Sequence, residues 1–182
     1  MNLTHTSLSE LWILEPKVFE DSRGFFFESY NEKVFVQLGI TARFVQDNVS
    51  RSRKGVLRGL HYQLAPMAQG KLVRVSLGEV FDVVVDLRRA SPTFGKWFGI
   101  TLSEQNKKMV WIPPGFAHGF LVLSDIADFN YKVTNFYSPE HERTLRYDDP
   151  QVGINWPELD VPFSLSEKDQ KGKLLQDLDT TF

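Results

Sequence analysis

The chain contains no cysteine, which excludes disulfides and thiolate chemistry and fits a reducing compartment. No apolar run approaches the length needed to cross a bilayer. The opening residues, MNLTHTSLSELW, show neither a charged region followed by an apolar stretch nor a cleavage-like site, so the expectation is a soluble, cytoplasmic protein with no membrane partner. Repeats, low-complexity tracts and linkers are also missing, and 182 residues suit one compact domain spanning 1–182. Acidic residues are absent from one stretch. Between Asn48 and Gly78 lie Arg51, Arg53, Lys54, Arg58, Lys71 and Arg74 but no Asp or Glu, in a chain whose net charge is −2. A local positive field inside an otherwise acidic protein suits a small anionic ligand rather than nucleic acid.

What the sequence has in quantity is aromatics, with 15 Phe, 4 Trp and 5 Tyr, which pack well on a pleated surface. Apolar residues recur with a period close to two through LWILEPKVF, FFFESY, ARFVQDNV, VLRGLHYQL, KLVRVSLG, EVFDVVVDLR, KWFGITLS, KKMVWIPP, HGFLVLSD and ADFNYKVTNFY, and these read as successive strands. Turn chemistry separates them, including RSRKG, which places Arg51, Arg53 and Lys54 on a solvated turn. Two helices are predicted. One runs from Asn31 to Leu38 and closes at Gly39; the other starts after Ser166, with Asp169 at its third position. Many short antiparallel strands with few helices imply a mainly β fold, a sandwich or closed barrel of the jelly-roll kind, whose mouth can hold one small ligand.

Parity then asks which polar side chains point inward. In KLVRVSLG, Lys71 shares a face with Val73, Val75 and Leu77, which puts an ammonium on the apolar side near a strand end. In VLRGLHYQL, His61 shares its face with Leu57, Gly59 and Gln63, while Arg58 faces the other way. Either Gly59 marks a bulge that brings Arg58 round, or the two residues serve different sites. A rigid Pro-Pro-Gly turn in PPGFAHGF feeds His118 into another apolar strand, and ADFNYKVTNFY supplies Tyr131 and Tyr137. HxQ at 61 to 63 and PGxxH at 115 to 118 resemble the two half-motifs of the cupin superfamily. Gln63 stands where metal-binding cupins have a second histidine, and no acid follows before Glu79. Too few ligands remain for a first-row metal, so a metal-free site is expected.

The segments DSRGFFFESY, FVQDN, VLRGLHYQ, QGKLVRV, GEVFDVVVDLR, SPTFGKW, WIPPGFAHGF, YKVTNFYSPEHE, GINWP and LSEKD, taken in order, closely resemble the dTDP-4-dehydrorhamnose 3,5-epimerase family, cupins that work without metal or other cofactor. The resemblance covers about Leu11 to Asp169. It implies epimerisation at C3 and C5 of dTDP-4-dehydro-6-deoxy-D-glucose, in dTDP-L-rhamnose biosynthesis, by a homodimer whose N-terminal strands cross to the partner. It places the base on His61, paired with Asp169, the acid on Tyr131 and the enolate-stabilising lysine on Lys71. Substrate contacts fall on Arg23, Glu28, Gln46, Asp47, Asn48, Arg58, His118, Glu142 and Lys168, with Tyr137 stacking on thymine. Asn130 and Phe136 depart from the family pattern and bear on which carbons are inverted. The chemistry agrees independently, because protons at C3 and C5 lie α to the C4 ketone and their removal needs a base, a counter-charge on oxygen and an acid on the opposite face. An epimerase acting at one carbon, a non-catalytic sugar-nucleotide-binding cupin and a metal-dependent cupin are the rival readings.

Overall fold

A computed structural model describes residues 1–179 and 182. Two antiparallel sheets face each other across the core. The larger has six strands: β1 (Asn2–His5), β2 (Trp12–Glu15), β5 (Gln46–Arg53), β7 (Lys71–Leu77), β10 (Met109–Ile112) and β12 (Ile126–Val133), in the order β1-β2-β10-β7-β12-β5. The smaller has five: β6 (Leu57–Gln63), β8 (Glu79–Asp86), β9 (Trp97–Ser103), β11 (Phe116–Val122) and β13 (Glu142–Thr144), in the order β13-β6-β11-β8-β9. Between β2 and β5 come a hairpin of β3 (Phe19–Asp21) and β4 (Gly24–Phe26) and the helix α1 (Glu32–Gln37); α2 (Glu167–Gln170) follows β13.

The alternation that predicts the strands also sorts the core into layers. Val73 and Val75 of β7, Val80 and Val84 of β8, Val110 and Ile112 of β10, and Phe116 and Phe120 of β11 all point between the sheets with Phe129 of β12. The opposite parity of β7 and β10, Leu72, Met109 and Trp111, packs outward against Phe35 of α1 and Ile40. Helix α1 forms as its signals predict: the Asn31 side chain accepts from the amides of Lys33 and Val34, and Gly39 leaves with φ +91°. Outside the smaller sheet, Leu60, Tyr62, Val83 and Val85 are covered by Leu145, Val152, Leu175 and Leu178 of the C-terminal segment.

Several predicted boundaries move. The aromatic run FFFESY is extended only as far as Phe26, where a short hairpin leaves Phe19, Phe25 and Phe26 54, 60 and 65% exposed. Strand β5 starts at Gln46 and continues through Arg53, so Arg51 and Arg53 belong to a strand rather than a turn. There Arg51 grips Asp128 of the neighbouring strand with two hydrogen bonds. The last predicted strand stops at Val133, which puts Tyr137 in the loop that follows.

Candidate active site

One irregularity in β6 builds the site. His61 pairs with His118 and Arg58 pairs with Phe120, so two residues of β6, Gly59 and Leu60, oppose the single Gly119 of β11. His118 and Phe120, two apart, share the inner face, and their partners His61 and Arg58 must therefore share it as well. This decides the alternative left open by parity. Gly59 absorbs the extra residue at φ +127°, and a Cβ there would lie 2.6 Å from the Cα of Gly119. The crossing of these two backbones requires glycine on both strands, since a Cβ on Gly119 would in turn come within 2.5 Å of the Arg58 carbonyl.

The cavity so formed, about 280 Å³, lies between the sheets. The smaller sheet contributes Arg58, His61, Gln63, His118 and Glu142, and the larger contributes Lys71, Phe129 and Tyr131. His61 Nε2 lies 2.5 Å from Asp169 Oδ1. Asp169 is 3% exposed. Burial opposes its charge, yet the hydrogen bond and charge of His61, with Ser166 and Lys168, hold its carboxyl below the usual range. Asp169 also keeps its capping position, because its backbone amide donates to Ser166 Oγ at 3.2 Å. The cap and the histidine pair therefore coexist, one made by the backbone and the other by the side chain. An ionised carboxylate only accepts, so the His61 proton sits on Nε2 and the Nδ1 lone pair is free to act as a base.

Lys71 donates to the His61 carbonyl at 3.1 Å and is 8% exposed. Burial pushes its ammonium down to about 8, with Glu142 and Asp82 opposing the fall. Across the cavity, burial raises Tyr131, so its phenol keeps its proton at neutral pH, although the Arg58 charge pulls the other way. Arg58 itself is steadied by Ser52, whose Oγ accepts from Nε at 3.0 Å. Buried Gln63 is engaged throughout: its amide donates to the carbonyls of Met67 and Phe136, and its oxygen accepts from the Ser138 amide. It therefore ties two loops to the cavity floor. Among the described residues, no three His, Asp or Glu side chains converge as a metal site would require.

At the rim, Tyr137 Oη donates to Glu142 Oε2 at 2.9 Å and Lys168 Nζ donates to Glu142 Oε1 at 2.8 Å. Burial works against the Glu142 charge, but these two hydrogen bonds hold the carboxyl below its ordinary range. Gln46 accepts from the Tyr137 amide and donates to Asn48, on the same edge. Three sequence-predicted residues stand apart from the cavity. Asp47 faces outward and is bound by Lys132 at 2.8 Å. Arg23 is exposed on the hairpin and paired with Asp21, and Glu28 accepts from the side-chain amide of Asn31. Two residues that sequence reasoning missed belong to the site. Ser52 holds Arg58, and Asp82, 0% exposed, lies 2.8 Å from His118 Nε2 through Oδ2.

A family profile described as dTDP-4-dehydrorhamnose 3,5-epimerase matches residues 5–177. A dTDP-4-dehydrorhamnose 3,5-epimerase of Pseudomonas aeruginosa is 58% identical over 180 residues, 98% of each chain. One from Shigella flexneri is 57% identical, also over 98% of each. Among solved structures, the dTDP-6-deoxy-D-glucose-3,5-epimerase of Legionella pneumophila, in complex with dTDP-4-keto-L-rhamnose, superposes with a TM-score of 0.94. That chain is 57% identical, and the match covers 98% of this chain and 94% of the other.

Proposed function

The chain belongs to the dTDP-4-dehydrorhamnose 3,5-epimerase family, and from that premise we propose that its cavity inverts C3 and C5 of dTDP-4-dehydro-6-deoxy-D-glucose, giving dTDP-4-dehydro-β-L-rhamnose for dTDP-L-rhamnose biosynthesis. The observation that carries the reading is the placement of acid and base. His61, paired with Asp169 of α2, comes from the smaller sheet, and Tyr131 comes from the larger. A sugar ring held between the sheets meets a base on one face and a protonated phenol on the other. His61 Nδ1 takes the proton α to the ketone, and Asp169 stabilises the imidazolium that results. Lys71 supplies the counter-charge for the enolate oxygen, and Tyr131 delivers a proton from the opposite side.

Arg58 meets the diphosphate with its planar fork. Tyr137, Glu142, Lys168, Gln46 and Asn48 form the edge that takes the nucleoside. We place the working enzyme in the cytoplasm as a homodimer. The exposed Phe19, Phe25 and Phe26 form an apolar tip suited to a second copy, where Arg23 and Glu28 would complete the neighbour's site. Incubation of the dTDP-4-keto sugar with the protein in D₂O, followed by NMR, tests the function. Deuterium at both C3 and C5, in a product inverted at both carbons, is expected. Label at one carbon alone would make it a single-carbon epimerase, and no label would leave only a binding protein.

A further inference from the structure

The cavity contains a second His–Asp pair that the reaction above does not use. His118 stands directly opposite His61 across the β6–β11 ladder, and its Nε2 meets Asp82 as His61 Nε2 meets Asp169. Asp82 sits on the inner face of β8 between Val80 and Val84, opposite Ile100 of β9 and Phe120 of β11. A carboxylate in such apolar company is costly unless it is engaged. Oδ2 meets His118, while Oδ1 has no hydrogen-bond partner among the described residues. His118 Nδ1 makes no hydrogen bond either, and the ring lines the cavity.

We propose that Asp82 is a positioning residue that locks His118 as the neutral Nε2–H tautomer, so that Nδ1 accepts a hydrogen bond from a hydroxyl of the bound hexose. The inference rests on the functional reading above and adds to it the residue that fixes the donor and acceptor ends of His118, a substrate contact that the family resemblance already implies. A 4-keto-6-deoxyhexose linked to a nucleotide through C1 carries its free hydroxyls at C2 and C3, with a methyl group beyond C5. An acceptor imidazole therefore holds the C2–C3 edge and sets which way the ring lies between His61 and Tyr131. Burial, with the nearby Lys71 charge, pushes His118 towards its neutral form against the pull of Asp82. An imidazolium beside Lys71 would also lose the acceptor lone pair. Asp82→Asn is nearly isosteric, but its amide can donate to Nε2 and drive the proton to Nδ1, turning the acceptor into a donor facing a hydroxyl.

Long-range ¹H–¹⁵N spectra of ¹⁵N-histidine-labelled protein, with His118→Gln used for assignment, read the tautomer directly. Wild type should show Nε2 protonated and Nδ1 bare between pH 6 and 8. Non-ketonic dTDP-L-rhamnose should shift the Nδ1 resonance towards hydrogen-bonded values, and dTDP alone should not. Asp82→Asn should reverse the tautomer and lower kcat/KM by about 10- to 100-fold with the fold retained. A wild-type His118 that is Nδ1–H or doubly protonated in this range overturns the inference, even if Asp82→Asn cannot be folded. So does an Asp82→Asn protein with reversed tautomer and kcat/KM within twofold of wild type. The tautomer is read on the resting protein and the function on deuterium wash-in, so failure of one is distinct from failure of the other.

Discussion

Replacing Lys71 by methionine should make the protein more stable and far less active. Lys71 is 8% exposed, and burial lowers its pKa from 10.5 to about 8. At about 1.4 kcal/mol per pKa unit, keeping this ammonium charged inside the fold at pH 7 costs about 3 kcal/mol of stability. Methionine has a similar length and no charge, and it forfeits the hydrogen bond to the His61 carbonyl, worth about 1 kcal/mol. The net gain is about 2 kcal/mol, or roughly 4–8 °C in Tm for a chain of this size. Its pH dependence follows from linkage. Between pH 8 and 10.5 the unfolded chain binds the proton that the folded protein releases, so wild-type stability rises with pH across that window. The advantage of Lys71→Met must therefore be full at pH 7 and mostly gone at pH 10. Activity should move the other way: loss of the enolate's counter-charge lowers kcat by about 10²- to 10³-fold, and wild-type kcat/KM should fall on the alkaline side with an apparent pKa near 8. Thermal melts at the two pH values with single-point rates suffice. A variant less stable than wild type at pH 7, or an advantage unchanged at pH 10, refutes the reasoning.

Gly59→Ala should cost more than about 2 kcal/mol in denaturant melts, since φ is +127° and the new Cβ meets Gly119 Cα at 2.6 Å; wild-type stability would remove the bulge as the device that brings Arg58 beside His61. Arg58→Lys should raise KM for the sugar nucleotide about tenfold with little change in kcat, because an ammonium lacks the fork that meets a diphosphate; an unchanged KM would take the diphosphate away from Arg58. Mixing inactive Arg23→Ala with inactive His61→Asn under subunit exchange should restore part of the activity in hybrid dimers. Hybrids shown to have formed, yet dead, would mean that each site is built from one chain.

Strand parity made the cavity partly legible. The same count that turned Lys71 inward with Val73 and Val75 matches the structure, and both helix caps lie where Asn31 and Ser166 predict. Arg58 was not decidable from the chain, because one extra residue inverts every face beyond it and glycine only marks where that can happen. Asp82 was within reach of the same argument, since it alternates with Val80 and Val84, but it lay hidden in an otherwise valine-rich strand. Strand β13 has three residues and no alternation, and its place is set by pairing with β6 rather than by its own sequence. Asp169 read equally as a cap or as a partner for histidine, and it is both because its amide and carboxylate serve different neighbours.

The division of labour between His61 and Tyr131 is the claim on which the account depends, and isotope wash-in separates the two. Incubated with the dTDP-4-keto sugar in D₂O, His61→Asn should lose deuterium uptake at both carbons together with product formation. Tyr131→Phe, which removes only the hydroxyl, should still exchange at one or both carbons while forming little inverted product, because exchange needs removal and return on one face whereas inversion needs both. Wild-type exchange by a folded His61→Asn protein would make the histidine structural and contradict the mechanism.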